Sequence, residues 1–164
     1  MDEKNINNTN QLEKGTYLTF HLENELYAIE ISMVKEIIAL MKTTKVPKMA
    51  EYIKGVMNLR GIIIPVIDLR LKFQMPEVKP QMHTAIIIIQ ILNSNIGFIV
   101  DRVEEVISID TEHLSEPPKF NSNVDTEFVK NMAQVDKNVI MILDLEKILD
   151  EDDINWIESL NEEA

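Results

Sequence analysis

The chain has 164 residues, 45% hydrophobic and 27% charged, with 28 acidic against 16 basic side chains and a net charge of −12. That leaves room for one domain, or two small ones sharing a core, and excludes a large multidomain enzyme. The acidic balance repels polyanions and so argues against nucleic-acid and anionic-membrane binding, and the absence of cysteine removes disulfides, thiolate metal sites and thiol nucleophiles together.

In chain order, residues 1–14 are polar and Asn-rich. They carry neither a basic nor an apolar signal region and read as a flexible N-terminal arm. Tyr17, Leu18, Phe20 and Leu22, then Leu26, Ala28 and Ile29, flank the polar Glu23-Asn24-Glu25, a pattern that predicts a β-hairpin. Ile31 to Ile38 fits a helical turn or an extended segment equally well. Tyr52 to Leu59 and Ile62 to Ile67, short and β-branched, predict two strands separated by Arg60-Gly61. Pro76 and Pro80 mark a loop. A second hairpin is predicted from His83 to Ile89 and Ile96 to Val100, with Asn93-Ser94-Asn95 as its turn and Val103 to Ile109 continuing it. The apolar run from Ala85 to Leu92, broken by Gln90, is far below the roughly 20 residues of a bilayer span, so a cytoplasmic protein without direct membrane insertion is expected. Val139 to Leu143 predicts a last strand, and Leu145 to Leu149 and Ile154 to Leu160 have helical spacing.

An internal echo runs through these elements. Ile63 to Leu69 matches Val139 to Leu145 at an offset of 76, down to the Asp-Leu ending. Leu26, Ala28 and Ile29 match Ile96, Phe98 and Ile99 at 70, and Val34 to Ile37 matches Val103 to Val106 at 69. Two half-chains of about 70 residues repeating one strand plan suit two small packed β-barrels. The charge divides unevenly between them: residues 15–82 sum to +2 and residues 83–164 to −13, which suggests faces that meet different partners.

The sequence holds none of the common catalytic arrangements. The four glycines form no phosphate-cradling loop, no serine sits in a nucleophile elbow, and His21, His83 and His113 have no zinc-binding spacing. Adjacent acids such as Glu104-Glu105 and Asp150-Glu151-Asp152-Asp153 read as solvated faces, since general acid–base work needs one of them buried. No catalytic residue, cofactor or metal is expected. The unusual stretch is Gly55-Val56-Met57-Asn58-Leu59-Arg60-Gly61 followed by Pro65-Val66-Ile67-Asp68-Leu69-Arg70. Its two glycines imply special backbone positions that hold Arg60 on a tight corner, where it can pair with Glu36, with Glu51 or with a partner's carboxylate. Pro65 argues for an edge strand or a bulge.

That stretch resembles the signature of the CheW family of bacterial chemotaxis coupling proteins, and the resemblance extends from Tyr17 to about Leu149. It implies an all-β fold of two packed, intertwined five-stranded SH3-like barrels in pseudo-repeat, with short helices and a C-terminal helix. The corresponding organisation is an arm over 1–14, a CheW-like domain over 15–149 made of two barrels at roughly 15–82, with a chain crossover, and 83–149, and an acidic helix over 150–164. It also implies a standalone adaptor without catalysis, bridging the histidine kinase CheA, through its regulatory domain, to the cytoplasmic tips of chemoreceptors and recruited to receptor arrays through these partners. Carried over by position, Val34, Glu36, Gly55 and Arg60 lie where the first barrel meets partners, Val103 and Val106 where a groove receives the receptor hairpin, and Phe120 where the second barrel meets a neighbouring kinase or coupling protein in a ring. Core burial is the competing role for Val34, Val103 and Val106. Two rival functions stand beside this: a small acidic metal-dependent hydrolase, and a coupling module of another kinase pathway such as surface motility.

Overall fold

The computed structural model describes residues 14–91, 93–117 and 126–162. Its strands are β1 (Lys14–Leu22), β2 (Glu25–Glu30), β3 (Val34–Ala39), β4 (Ile53–Leu59), β5 (Ile62–Asp68), β6 (Ala85–Ile91), β7 (Ser94–Val100), β8 (Arg102–Asp110), β9 (Leu114–Ser115), β10 (Val129–Val135) and β11 (Asn138–Leu143). The helices are α1 (Leu69–Lys72), α2 (Leu145–Ile148) and the C-terminal α3 (Glu151–Glu162). The ambiguous segment after β2 resolves into a 3-10 turn over Ile31–Met33 followed by β3. Ser94 and Asn95, expected in a turn, pair with Ile91 and Gln90 and lengthen the β6–β7 hairpin.

The strands form two sheets, in the orders β8-β1-β2-β11-β10-β9 and β3-β6-β7-β5-β4. We call them barrel I and barrel II. Shifted by the repeat offsets, β8-β1-β2-β11-β10 becomes β3-β6-β7-β5-β4, and the single parallel pairing in each sheet, β2 with β11 and β7 with β5, falls at the same place. The duplication is therefore real in three dimensions, but the halves exchange strands. Barrel I takes β1 and β2 from the first half and β8 to β11 from the second. Barrel II takes β3 to β5 from the first and β6 and β7 from the second. The barrels thus do not follow a split of the chain at residues 82 and 83. Strand β8, expected to extend the second hairpin, pairs with β1 instead. Hydrophobic alternation marks a strand but not its neighbour, which is why this exchange is silent in the sequence.

Three cores follow from the alternation. In β6, Ile87, Ile89 and Ile91 face a core shared between the barrels, while Ile86 and Ile88 face the interior of barrel II with Met57, Ile64 and Val66. Burial on both faces explains the uninterrupted isoleucines, each stabilising by about 1.5–3 kcal/mol against exposure. Barrel I has a smaller interior of Tyr17, Ala28, Ile109, Ala133, Ile140 and Ile142. An aromatic ladder crosses the shared region, with ring centroids 6.1 Å apart for Phe20 and Tyr27, 5.9 Å for Tyr27 and Phe73, and 5.3 Å for Phe73 and Phe128.

Of the two readings of Pro65 the edge strand fails, because β5 lies between β7 and β4 and the proline is buried, whereas a bulge does stand next to it, where β4 slips register between Ile53 and Gly55 opposite Ile67 and Val66. The partner of Pro65, Val56, spends both backbone groups on Thr44, at 2.7 and 2.9 Å, so the ladder asks for no N–H from Pro65 on that side, and pairing to β7 begins one residue later, at Val66.

Candidate partner-binding surfaces

The β4–β5 connection is a two-residue turn whose central residues, Arg60 and Gly61, both lie in the left-handed region, with φ of +53° and +89°. This is the backbone of a type I′ hairpin, whose twist matches its strands. Asn58 steadies it by accepting the Gly61 N–H at 2.8 Å. A guanidinium on such a corner has little choice but to project outward, and Arg60 is 66% exposed. It pairs with Glu36 of β3, Nη2 to Oε2 2.5 Å, rather than with Glu51. The hydrogen bond from Arg60, and then its charge, hold the Glu36 carboxyl below the ordinary glutamate range. The pair ties β3 to the far hairpin of the same barrel. Three isoleucines near it in sequence, Ile37 after Glu36 and Ile62 and Ile63 after the turn, are about half exposed. Isoleucines at a hairpin tip look like strand core in a sequence, and only the exposure of the first two residues of β5 reveals them as surface.

Gly55 lies inside the barrel. Its φ is +121°, and a Cβ there would stand 1.9 Å from the Thr44 carbonyl oxygen, at the bulge where β4 slips register against β5. The Thr44 segment crosses β4 at that point and closes barrel II. In barrel I the same closure is made by β9 on β10, with Asn131, 76 residues after Gly55, at the matching bulge and donating to the Ser115 carbonyl at 3.4 Å.

Val34 and Val103 are half-buried and pack against the rim of the shared core, so the competing burial role is partly met for both. Val106 is 53% exposed. Each of these strands carries a bulge, in β3 between Val34 and Glu36 and in β8 between Val103 and Val106. In β8 the buried Thr19 hydroxyl satisfies the bulge, donating to the Glu105 carbonyl at 2.8 Å and accepting its N–H at 3.1 Å. Bulges re-aim side chains and interrupt pairing, which here leaves Val106 facing outward. Phe120 lies outside the described residues.

In the acidic run 150–153 Asp150, Glu151 and Asp152 are exposed, as a solvated face requires, but Asp153 is buried. Asp150 and Asp153 form a reciprocal cap on α3: the Asp153 N–H donates to Asp150 Oδ1 at 2.8 Å and the Asp150 N–H to Asp153 Oδ2 at 3.1 Å. Asp153, 2% exposed, also holds Lys72 of α1 at 3.0 Å and accepts from Tyr52 at 2.6 Å. The Lys72 ammonium sits 4.1 Å from the centre of the Tyr52 ring. The buried carboxylate is thus consumed in docking a helix. Beside it, between α1 and α2, opens a cleft of about 670 Å³ lined by Tyr27, Tyr52, Phe73, Phe128, Met75 and Met141.

The model of the CheW-like domain matches residues 16–153. The chain belongs to the CheW family. Among its members, the chemotaxis protein CheW of Klebsiella aerogenes is 32% identical over 88% of this chain and 87% of its own, and that of Bacillus subtilis is 32% identical over 82% and 86%. The crystal structure of the scaffolding protein TtCheW from Thermoanaerobacter tengcongensis superposes with a TM-score of 0.79 at 37% identity, covering 85% of this chain and 95% of that one. The chain is a chemotaxis adaptor, a role that its CheW relatives and its likeness to a CheW scaffold support. No helix among the described residues is long and apolar enough to cross a membrane.

Proposed function

We propose that the protein couples two macromolecules in the cytoplasm and transforms neither: the regulatory domain of the histidine kinase CheA at the Arg60 corner of barrel II, and the helical hairpin at a chemoreceptor tip along the groove edge bearing Val34, Val103 and Val106. The observation that carries the first contact is the exposed Glu36–Arg60 pair on a hairpin corner whose strands also expose Ile37, Ile62 and Ile63, since an arginine anchor with apolar surface at hand can dominate a modest interface. Gly55 supports it from inside by letting the Thr44 segment close the barrel. Phe120 serves a third contact, to a neighbouring kinase or coupling protein in a ring. An adaptor acts by linkage, so receptor binding must alter kinase binding and the reverse. The hydrolase alternative is disfavoured because its best buried carboxylate, Asp153, is already bound by Lys72, Tyr52 and the cap of α3.

Isothermal calorimetry of the full chain against the kinase regulatory domain and against a receptor cytoplasmic fragment tests the reading. Arg60→Glu should weaken the kinase contact at least tenfold while circular dichroism stays that of the parent. Equal affinities for both chains, with kinase control intact, would remove Arg60 from the interface.

A further inference from the structure

Two crossovers join the barrels at equivalent points of the repeat, and different forces hold them. At the first, the 3-10 turn Ile31–Met33 packs Ile31 and Met33 on the shared core. At the second, Asp101 alone separates β7 of barrel II from β8 of barrel I, and charge holds it. Arg70 of α1, 14% exposed, grips Asp101 with both sides of its guanidinium, Nε to Oδ1 2.6 Å and Nη2 to Oδ2 2.6 Å. The same Oδ2 accepts the Glu23 N–H of the β1–β2 turn at 2.8 Å, and the Glu23 carboxylate stands 3.6 Å from Arg70. The Asp101 N–H donates to the His21 carbonyl at 3.1 Å, and Arg70 Nη1 donates to the Pro76 carbonyl at 3.3 Å. One bidentate, charge-assisted pair thereby fastens the helix of barrel II to two elements of barrel I.

The repeat shows that this clasp is an addition to the fold. At the position of Arg70, α2 carries Glu146, exposed and in no ion pair among the described residues, and barrel I makes the same strand-to-helix corner without it. What the clasp reaches is specific. Asp101 lies just before β8, two residues ahead of Val103 and five ahead of Val106; among the described residues that strand has β1 as its one neighbour in the sheet, and the pairing is broken by a bulge between those two valines. β1 holds β8 within barrel I on both sides of that bulge, so what Asp101 adds is the tie between this strand and α1 of barrel II.

We infer that Arg70 is a positioning residue: through Asp101 it fixes where β8, with Val103 and Val106, stands against barrel II. The positioning is a property of this chain alone, whereas its consequence for binding rests on the reading of the groove as the receptor surface. Because the chain lacks cysteine, spin labels can be placed at Lys45→Cys in barrel II and Ser108→Cys on β8, both exposed. Electron–electron distances should give one narrow distribution in the parent, a broadened or shifted one in Arg70→Gln, and a narrow one again in the charge-swapped Arg70→Asp/Asp101→Arg. Asp101→Asn, which keeps the acceptor for Glu23, should broaden it less and stands in if Arg70→Gln folds poorly. Affinity for the receptor fragment should fall about tenfold in Arg70→Gln and return in the swap, with kinase-domain affinity within twofold throughout. Unchanged distances in both single variants overturn the inference. Altered distances with unchanged receptor affinity uphold the positioning and overturn the groove reading.

Discussion

At the corner after β5, barrel II places Lys72; at the corner after β11, barrel I places Ile148 at the same position of the repeat. Ile148 is fully buried in the shared core, and it docks its helix by area alone. Lys72 is almost as buried but arrives with a charge, which it discharges against Asp153 and the Tyr52 ring. The same contrast recurs at the crossovers, apolar at 31–33 and ionic at Asp101, and at the closing bulges, Gly55 in one barrel and Asn131 in the other. One duplicated plan tolerates both chemistries because the cores carry the stability. The two ionic solutions collect around α1, where barrel II meets barrel I and α3, and they fix orientation where packing alone is non-directional.

The contrast is broken most severely by giving barrel II the solution of barrel I. Lys72→Ile leaves Asp153 buried with no cation, and breaking a buried pair from one side costs about 3–5 kcal/mol; urea unfolding should show it as a lower midpoint with an unchanged slope. Adding Asp153→Asn removes the stranded charge yet keeps acceptors for Tyr52 and the Asp150 N–H, so Lys72→Ile/Asp153→Asn should recover most of the loss. A double variant no better than the single one would mean that the ion pair, and not the relief of a stranded charge, holds α3.

The two closing bulges give the next largest difference. Gly55→Ala forces a side chain into a left-handed conformation and against the Thr44 backbone, at a cost of about 3 kcal/mol or more. Asn131→Ala loses one long hydrogen bond to Ser115, about 0.5 kcal/mol. Thermal unfolding of the two variants should separate them clearly.

How much of this the sequence discloses depends on whether the signal is local. The isoleucine run of β6, the Asp-Leu endings that become N-caps at Asp68 and Asp144, and the Arg60 corner are local patterns, and all are legible. Strand exchange is not, because β8 would look the same beside β7 or β1. Pro65 misleads for the same reason: its missing N–H faces β7, and only the register, with pairing to β7 beginning at Val66, shows that the ladder does not need it. The Asp150 to Asp153 run combines both cases, since the cap at spacing three is visible in the residues while the burial of Asp153 depends on Lys72 and Tyr52, which no spacing connects to it.

The tyrosines extend the comparison to pH. Burial is the first cause that raises each phenol: Tyr17 with help from Glu30, Tyr27 to about 12 with Glu25 and Glu23, and Tyr52 with its hydrogen bond to Asp153. A raised native value means that the native state keeps a proton the unfolded chain gives up near pH 10. This contribution is complete below pH 10 and is lost as pH rises through the native values. Ultraviolet titration should therefore show less tyrosinate at pH 10 in the native protein than in the unfolded chain, followed by a steep rise as the chain unfolds. A tyrosine titrating normally at pH 10 in the folded state would place its ring in solvent.

The smallest effect is expected at the most exposed feature. Arg60 and Glu36 face water, where an ion pair is screened and holding two side chains in one geometry offsets its attraction, so Arg60→Ala should not move the melting temperature measurably at neutral pH. The pair still registers in titration. Arg60 lowers the Glu36 carboxyl from the ordinary 4.5, so what it adds to stability is present above that value and fades as pH falls through the native one. Carbon-13 NMR of the Glu36 carboxyl should show its midpoint rising toward 4.5 in Arg60→Ala. Should the midpoint stay low without Arg60, another cation holds Glu36, and the corner would offer a partner a free guanidinium rather than one already engaged.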